Sequence, residues 1–362
     1  MQDSFGRQIT YLRLSVTDRC DLRCVYCMPA MMKFLPKSEV LELEELATIA
    51  TSFIGLGVKK IRVTGGEPLV RKNIIWLIER LGKELQTDGG LNELTLTTNG
   101  TQLGKFAPAL FAAGVRRVNV SLDSLRPAVF ARLTRGGDVA VVLDSIAKAK
   151  AAGLQVKINM VALRGINDIE IHDMISWCGD HGHDLTFIEV MPMGEVGITA
   201  GKTSKNDGTA QKAKANGNSN SGAYGDEDSW AVRAEQYWPL SLLRAEVMTR
   251  WQLTRSDYRS AGPASYYDCR ETGRRIGFIT PLTNHFCASC NRVRLTTTGK
   301  LYLCLGQDNM VDLRAALHKG GVAHLNATIR EAMKHKPLSH DFVISRWHKD
   351  PSQQRAMNQT GG

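Results

Sequence analysis

Between Tyr11 and Met191, short apolar runs alternate with longer stretches in which apolar residues recur every three or four positions. The runs predict strands at Tyr11–Val16, Lys60–Thr64, Glu93–Thr98, Arg117–Leu122, Leu154–Val161 and Leu185–Met191. The stretches between them predict helices; Leu43, Leu46, Ile49, Ala50 and Phe53, for example, share one face at helical spacing. Regular strand–helix alternation implies parallel strands with crossover helices, hence an α/β barrel or an open sheet. Six units fall short of the eight of a closed barrel, so a partial barrel is expected.

Strand parity refines this picture, because successive side chains point to opposite faces. Ile61 and Val63, Leu94 and Leu96, Val118 and Val120, Val156 and Ile158 then face the helices. The other face receives Arg13 and Ser15, Lys60, Arg62 and Thr64, Thr95 and Thr97, Asn119 and Ser121, Lys157 and Asn159. An ordinary barrel fills its interior with branched apolar side chains. Here the interior is polar and cationic, which fits a wet cavity holding an anion better than a dry core.

After Met191 the pattern breaks. Residues Gly201 to Gly222 contain no Leu, Ile, Val, Met or aromatic side chain, and such a segment cannot bury enough surface to offset its ordering entropy. The expected organisation is a barrel over 1–196, a disordered insertion over 197–236, a second structured region over 237–340 and a tail over 341–362. Pro239 and Ser241 suit a helix start, and Arg274–Thr280 reads as a strand. Asn291–Thr297 and Lys300–Leu305 read as a hairpin about Thr298-Gly299, with a helix from about Val311.

The chemistry lies in the cysteines, of which the chain has 8. Cys20, Cys24 and Cys27 directly follow the first strand, and thiolates suit iron–sulfur clusters or zinc. A four-iron cluster on three protein ligands keeps one iron open, whereas a structural zinc site fills all four positions. Cys287 and Cys290 precede the hairpin and Cys304 lies on its return strand, so pairing can gather a second set of three. There zinc remains an alternative, with His285 as the fourth ligand. Cys178 and Cys269 read as core thiols. Gly65-Gly66-Glu67-Pro68 ends the second strand, marking either a turn or a close backbone approach to a ligand. Arg292 and Arg294 alternate on one strand face, an arrangement suited to phosphate oxygens or simply to solvent.

Composition adds three limits. The chain is 362 residues long and 43% hydrophobic, enough for one large or two smaller cores. Its formal net charge of +10 favours an anionic partner, but 7% aromatic content with no basic, aromatic-interleaved stripe argues against nucleic acid. No apolar run approaches a membrane span and no signal-peptide pattern opens the chain, so a reducing, cytoplasmic location without membrane attachment is expected.

The spacing of Cys20, Cys24 and Cys27, with Tyr26 before the last cysteine and Gly65-Gly66 after the second strand, resembles the radical S-adenosylmethionine (radical SAM) superfamily. With the second cysteine set included, the resemblance narrows to the GTP 3′,8-cyclase family of molybdenum cofactor biosynthesis, also called the molybdenum cofactor biosynthesis protein A family. It rests on the stretches Leu12–Cys20, Val63–Pro68, Leu96–Gly100, Asn119–Asp123 and Phe286–Leu295 and on the terminal Gly361-Gly362, and it covers nearly all of the chain except the insertion. The resemblance implies a partial (β/α)6 TIM-type barrel of the radical SAM type, followed by an α+β region carrying a second iron–sulfur cluster. It implies two [4Fe–4S] clusters at opposite ends of the cavity, held by Cys20, Cys24 and Cys27 and by Cys287, Cys290 and Cys304. SAM would be contacted by Tyr26, Gly66, Ser121 and Met191. GTP would be contacted by Arg13, Lys60, Arg62, Thr97, Lys157, Arg292, Val293 and Arg294, with the purine at the open iron of the second cluster. Reductive cleavage of SAM would give a deoxyadenosyl radical that takes hydrogen from ribose C3′, after which C3′ joins C8 to give 3′,8-cyclo-7,8-dihydro-GTP.

Implied partners are a flavodoxin- or ferredoxin-like electron donor and the next enzyme, cyclic pyranopterin monophosphate synthase; a homodimer stays open. The terminal glycines would reach the active site on a mobile polar stretch. One departure is Thr186, where many relatives carry an arginine; Lys202 and Arg233 are the alternative sources of that contact. Rival readings are a peptide-modifying radical SAM enzyme with an auxiliary cluster, a non-catalytic iron–sulfur electron carrier, and a zinc-stabilised nucleic-acid-binding module.

Overall fold

The computed structural model describes residues 1–29, 31–194, 235–260, 262–282, 286–343 and 352–361. Residues 197–234 of the insertion, with Lys202 and Arg233, and also His285 and Gly362 lie outside the described residues.

The six expected strands are present in order: β1 (Tyr11–Ser15), β2 (Lys60–Thr64), β3 (Glu93–Thr98), β4 (Arg117–Ser121), β5 (Gln155–Ala162) and β6 (Asp184–Glu189). The crossovers carry α1 (Leu43–Gly55), α2 (Ile74–Gly82), α3 (Leu103–Ala112), α4 (Pro127–Thr134), α5 (Val139–Ala151) and α6 (Ile171–His181). All neighbouring pairs from β1 to β6 are parallel. Ile61, Val63, Leu94, Leu96, Val118, Val120, Val156 and Ile158 are buried in the layer between sheet and helices, as parity requires. Leu43, Leu46, Ile49, Ala50 and Phe53 are buried on the sheet-facing side of α1. Cys178 and Cys269 are buried thiols of the same core.

The carboxyl-terminal segment contributes α7 (Leu240–Arg250), β7 (Leu253–Arg255), β8 (Ser265–Cys269), β9 (Arg274–Ile279), β10 (Arg292–Leu295), β11 (Lys300–Tyr302), β12 (Met310–Asp312), α8 (Leu313–Lys334) and α9 (Met357–Thr360). Two of these strands extend the parallel sheet: β10 pairs in parallel with β1, Arg13 opposite Arg294, and β9 pairs in parallel with β6. The spatial order is β12-β11-β10-β1-β2-β3-β4-β5-β6-β9-β8-β7, so eight parallel strands carry antiparallel ribbons at both ends. The strands β9 and β10 are not neighbours in it, and the parallel run therefore stays open along one seam. The hairpin turns at Gly299, whose φ of 85° only glycine adopts without strain. The helix expected from Val311 starts two residues later, because Met310–Asp312 first pairs with β11 and Asp312 then accepts from Ala315 N at 2.8 Å as the cap.

Candidate active site

One cavity runs through the barrel, and both cysteine sets line it. The first set follows the carboxyl end of β1. For the second, Tyr302 lies opposite Arg294 in the antiparallel β10–β11 pair, so the chain two residues on brings Cys304 back towards the amino end of β10, where Cys290 lies. The two sets thus sit at opposite ends of the parallel strands. Among the described residues no three Cys, His, Asp or Glu side chains converge closely enough for a single ion. Four-iron clusters are held by Cys thiolates, and each set brings three cysteines to the cavity wall.

The first site is built by backbone as much as by thiols. Gly66 N donates to Thr17 O at 2.8 Å and Glu67 N to Arg19 O at 2.8 Å, tying the Gly65-Gly66 loop to the cysteine loop. A Cβ on Gly66 would collide with the main-chain oxygens of Asp18 and Arg19. Glycine is therefore required by this contact between loops, while the residue also lines the cavity. Glu67, fully buried, accepts from Leu69 N, Thr98 Oγ1 and Asn99 N at 3.0, 2.9 and 2.6 Å. Burial pushes its carboxyl up to about 7 against those bonds. Tyr26 donates to Asp123 Oδ2 at 2.6 Å, and Asp123 Oδ1 takes Val161 N at 2.8 Å. Burial raises the Cys20 thiol to about 12, with Glu67, Cys27 and Asp21 adding to the rise. Such a site holds thiols as neutral acids until a cation arrives. Tyr26, Gly66, Ser121 and Met191 all line the cavity here.

The middle of the cavity is cationic. Arg13, Arg62, Thr97, Lys157, Arg292 and Arg294 line it, with Asn119 and Asn159. Arg62 Nε, Thr97 Oγ1, both amide atoms of Asn119, Asn159 Oδ1 and Thr186 Oγ1 are buried without a hydrogen-bond partner. Buried polar atoms are nearly always satisfied in folded proteins, so this group is built for a ligand. Burial, then Arg294, holds Arg13 well below the usual arginine range; burial, then Arg62 and Arg117, does the same to Lys157; burial, then Arg292, brings Arg294 to about 10. Each cation weakens the next, and an anion would relieve them all.

Two expected contacts are placed differently. Lys60 does not line the cavity: its Nζ pairs with Glu93 at 2.6 Å and donates to Ser260 O at 2.8 Å. Glu93 lies opposite Lys60 on the neighbouring strand and also pairs with Arg117 at 2.5 Å. Parity sets Glu93 on the same face as Thr95 and Thr97, which brings its carboxylate to Lys60. The Val293 side chain is buried in the apolar core behind the sheet. Thr186 is buried between Asn159 and Gly277 and brings no charge to replace an arginine.

Several residues escaped the sequence reading. Tyr11 shares the face of Arg13 and has Lys60 and Arg62 over its ring at 5.1 and 5.7 Å. Burial alone would raise its phenol, but Arg62, Arg13, Lys60 and Arg292 bring it down to about 8. Parity, extended two residues back from Arg13, would have found it. Tyr266 accepts from Lys157 Nζ at 3.1 Å, and Asn99 Nδ2 lies 3.6 Å from Cys20 Sγ. Glu189, at the end of β6, accepts from Leu240 N and Leu282 N at 3.1 and 2.9 Å, tying the start of α7 and the approach to the second cysteine set to the barrel.

The described residues of the tail, 352–361, are hydrogen-bonded to the barrel. Asn358 Nδ2 donates to Asp18 O at 2.9 Å, and Arg294 Nη1 donates to Gly361 O at 2.8 Å. Gln353 links the two sides of the open seam: Gly194 N donates to its carbonyl at 2.7 Å and its Nε2 donates to Gly306 O at 3.0 Å.

Residues 14–178 match the radical SAM superfamily and residues 223–342 match the family described as Molybdenum Cofactor Synthesis C. A GTP 3′,8-cyclase of Paracoccus denitrificans is 52% identical over 361 residues, covering 99% of this chain and 95% of that protein. One of Rhizobium meliloti is 52% identical over 363 residues, covering 100% and 94%. Among solved structures, Streptococcus suis SuiB bound to precursor peptide SuiA matches with a TM-score of 0.58 at 14% identity, covering 98% of this chain and 76% of that one, a likeness of fold alone.

Proposed function

Because the chain belongs to the GTP 3′,8-cyclase family of radical SAM enzymes, we propose how its two cysteine sets and its cationic cavity divide the work of converting GTP to 3′,8-cyclo-7,8-dihydro-GTP. SAM and an iron–sulfur cluster belong to this chemistry and, when bound, supply the hydrogen-abstracting radical. Cys20, Cys24 and Cys27 hold that cluster, with Tyr26, Gly66, Ser121 and Met191 around SAM. Cys287, Cys290 and Cys304 would hold a second [4Fe–4S] cluster at the end of the cavity that the purine would occupy. Arg13, Arg62, Thr97, Lys157, Arg292 and Arg294 take the triphosphate and ribose, which fixes C3′ towards the SAM end. Lys60 acts through Glu93 and Ser260, closing the floor beneath them. Orientation in a closed cavity is the protein's main contribution, since a radical must meet one hydrogen and no water.

The observation that carries this reading is the cavity with a cysteine set at each end and, between them, clustered cations beside unpartnered polar atoms of Arg62, Thr97, Asn119 and Asn159. Under this reading the protein works in the cytoplasm, with a flavodoxin- or ferredoxin-like donor and hands its product to cyclic pyranopterin monophosphate synthase; among the described residues no helix is long and apolar enough to cross a membrane. The barrel (1–196) and carboxyl-terminal region (237–340) act as one site-forming unit. The test is anaerobic reconstitution followed by an assay with SAM, dithionite and GTP. Brown, iron-containing protein that releases 5′-deoxyadenosine and cyclised nucleotide in equal amounts is expected. A colourless zinc protein, or deoxyadenosine without cyclised product, would overturn it.

A further inference from the structure

Behind the second cysteine set lies a lysine that the reaction described above does not use. Lys336 follows the end of α8 and is 2% exposed. Its Nζ donates to Arg292 O at 2.9 Å and to Leu303 O at 2.5 Å, carbonyls two residues after Cys290 and one before Cys304. Those bonds satisfy two of its three N–H groups but leave its charge uncompensated. No carboxylate of the described residues forms an ion pair with it, in contrast to the neighbouring Arg7. Arg7 donates to Cys287 O at 2.8 Å and is balanced by Asp3 at 2.6 Å. A buried, unbalanced ammonium is costly unless a negative group faces it. The thiols of Cys290 and Cys304 are the acidic groups within its electrostatic reach.

We propose that Lys336 is the fixed counter-charge of the second cluster, a positioning residue that sets the cluster's reduction potential and touches no substrate. The inference rests on the two-cluster reading. A four-iron cluster on three thiolates is net negative in both its oxidised and its one-electron-reduced state, and more so when reduced. A fixed cation pinned to the two ligand-bearing segments therefore favours the reduced state and raises the potential. The same hydrogen bonds hold the chain at Cys290 and at Cys304 together, so charge and geometry come from one side chain.

The test uses the full-length, anaerobically reconstituted protein, with and without Cys20→Ala, Cys24→Ala and Cys27→Ala to isolate the second signal. Lys336→Met keeps length and removes charge, and Lys336→Arg keeps charge. Iron and sulfide are counted, and the second cluster is titrated with dithionite under electron paramagnetic resonance. The expected result is a more negative midpoint for Lys336→Met and a parental midpoint for Lys336→Arg. Loss of iron in the Met variant, with iron and midpoint kept in the Arg variant, carries the same meaning. An unchanged midpoint in the Met variant, or equal damage in both variants, overturns the proposal by making the role one of shape. Absence of any second iron signal in the parent instead overturns the two-cluster reading itself, and this proposal with it.

Discussion

Tyr11 reports on whether the cavity's cations hold an anion. With the cavity cations unneutralised, its phenol is expected to titrate near 8, because Arg62, Arg13, Lys60 and Arg292 stabilise the phenolate. Its folded value lies below the unfolded one, so its contribution to stability is present above the unfolded value of 10.0 and is lost as pH falls through about 8. A bound triphosphate has the opposite sign and should move the phenol up. Ultraviolet titration of the parent minus Tyr11→Phe, with and without GTP, reads this directly; an unmoved phenol would place the phosphates elsewhere. Glu67 gives the converse window. Its folded value, about 7, lies above 4.5, so the associated stability is complete below 4.5 and is lost as pH rises through about 7. Glu67→Gln should remove that slope, worth up to about 3 kcal/mol, in denaturant melts compared at about pH 5 and about pH 8.

At the scale of elements, the tail matters most. Arg355 donates to Leu305 O and Gln307 O at 2.8 and 2.9 Å, pairs with Asp308 and stacks over Tyr302 at 4.2 Å, while Gln353 crosses to Gly194. The tail thus bridges the gap between the end of β6 and the loop after β11, where the parallel sheet is open. Gly361 has φ 74°, and a Cβ there would strike the Thr64 side chain. Gly361→Ala and removal of Gly361-Gly362 should therefore both undock the tip from Arg294, lowering cyclisation while iron content and deoxyadenosine release persist. Arg355→Ala should do so more mildly, by about 1–3 kcal/mol of lost hydrogen bonding, read as a several-fold loss of cyclised product. Normal turnover by the truncated enzyme would make the docking incidental. That the terminal glycines reach the site was implied by the family resemblance, but the contacts of Gln353 and Arg355 were not legible, because the tail's polar composition looks like that of a solvated end and their partners are mainly main-chain carbonyls far away in the chain. The six barrel strands and their inward side chains were legible, since a period of two over Lys60–Thr64 or Arg117–Ser121 is a local signal. That β10 would join β1, Arg294 beside Arg13, was not, because parallel partners distant in sequence leave no local trace. The pairing of Lys60 was hidden for a similar reason: its charge is local, but its Glu93 partner comes from the next strand.

For the whole molecule the decisive arrangement is two cysteine sets facing each other through one cavity, with an electrostatic contrast between them. Burial with Glu67 and Asp21 lifts Cys20, whereas at the other end Arg292 and Lys336 overcome burial and bring Cys290 down to about 7, although burial still raises Cys304 there. The ends should therefore fail differently. Replacing Cys20, Cys24 or Cys27 with alanine should abolish deoxyadenosine formation entirely, since no cluster remains to reduce SAM. Under the proposed two-cluster reading, replacing Cys287, Cys290 or Cys304 should spare SAM cleavage but uncouple it, because the purine would lose its seat and C3′ would no longer be held for attack. Arg292→Ala and Arg294→Ala should keep both clusters and lose about 1.5–3 kcal/mol of charge-assisted phosphate binding each, a tenfold or larger rise in the GTP concentration needed. Iron, deoxyadenosine and cyclised nucleotide measured on the same samples separate the three classes. Should the Cys287, Cys290 and Cys304 variants bind GTP and cyclise it like the parent, the second set is structural, and the substrate must be positioned by the cations alone.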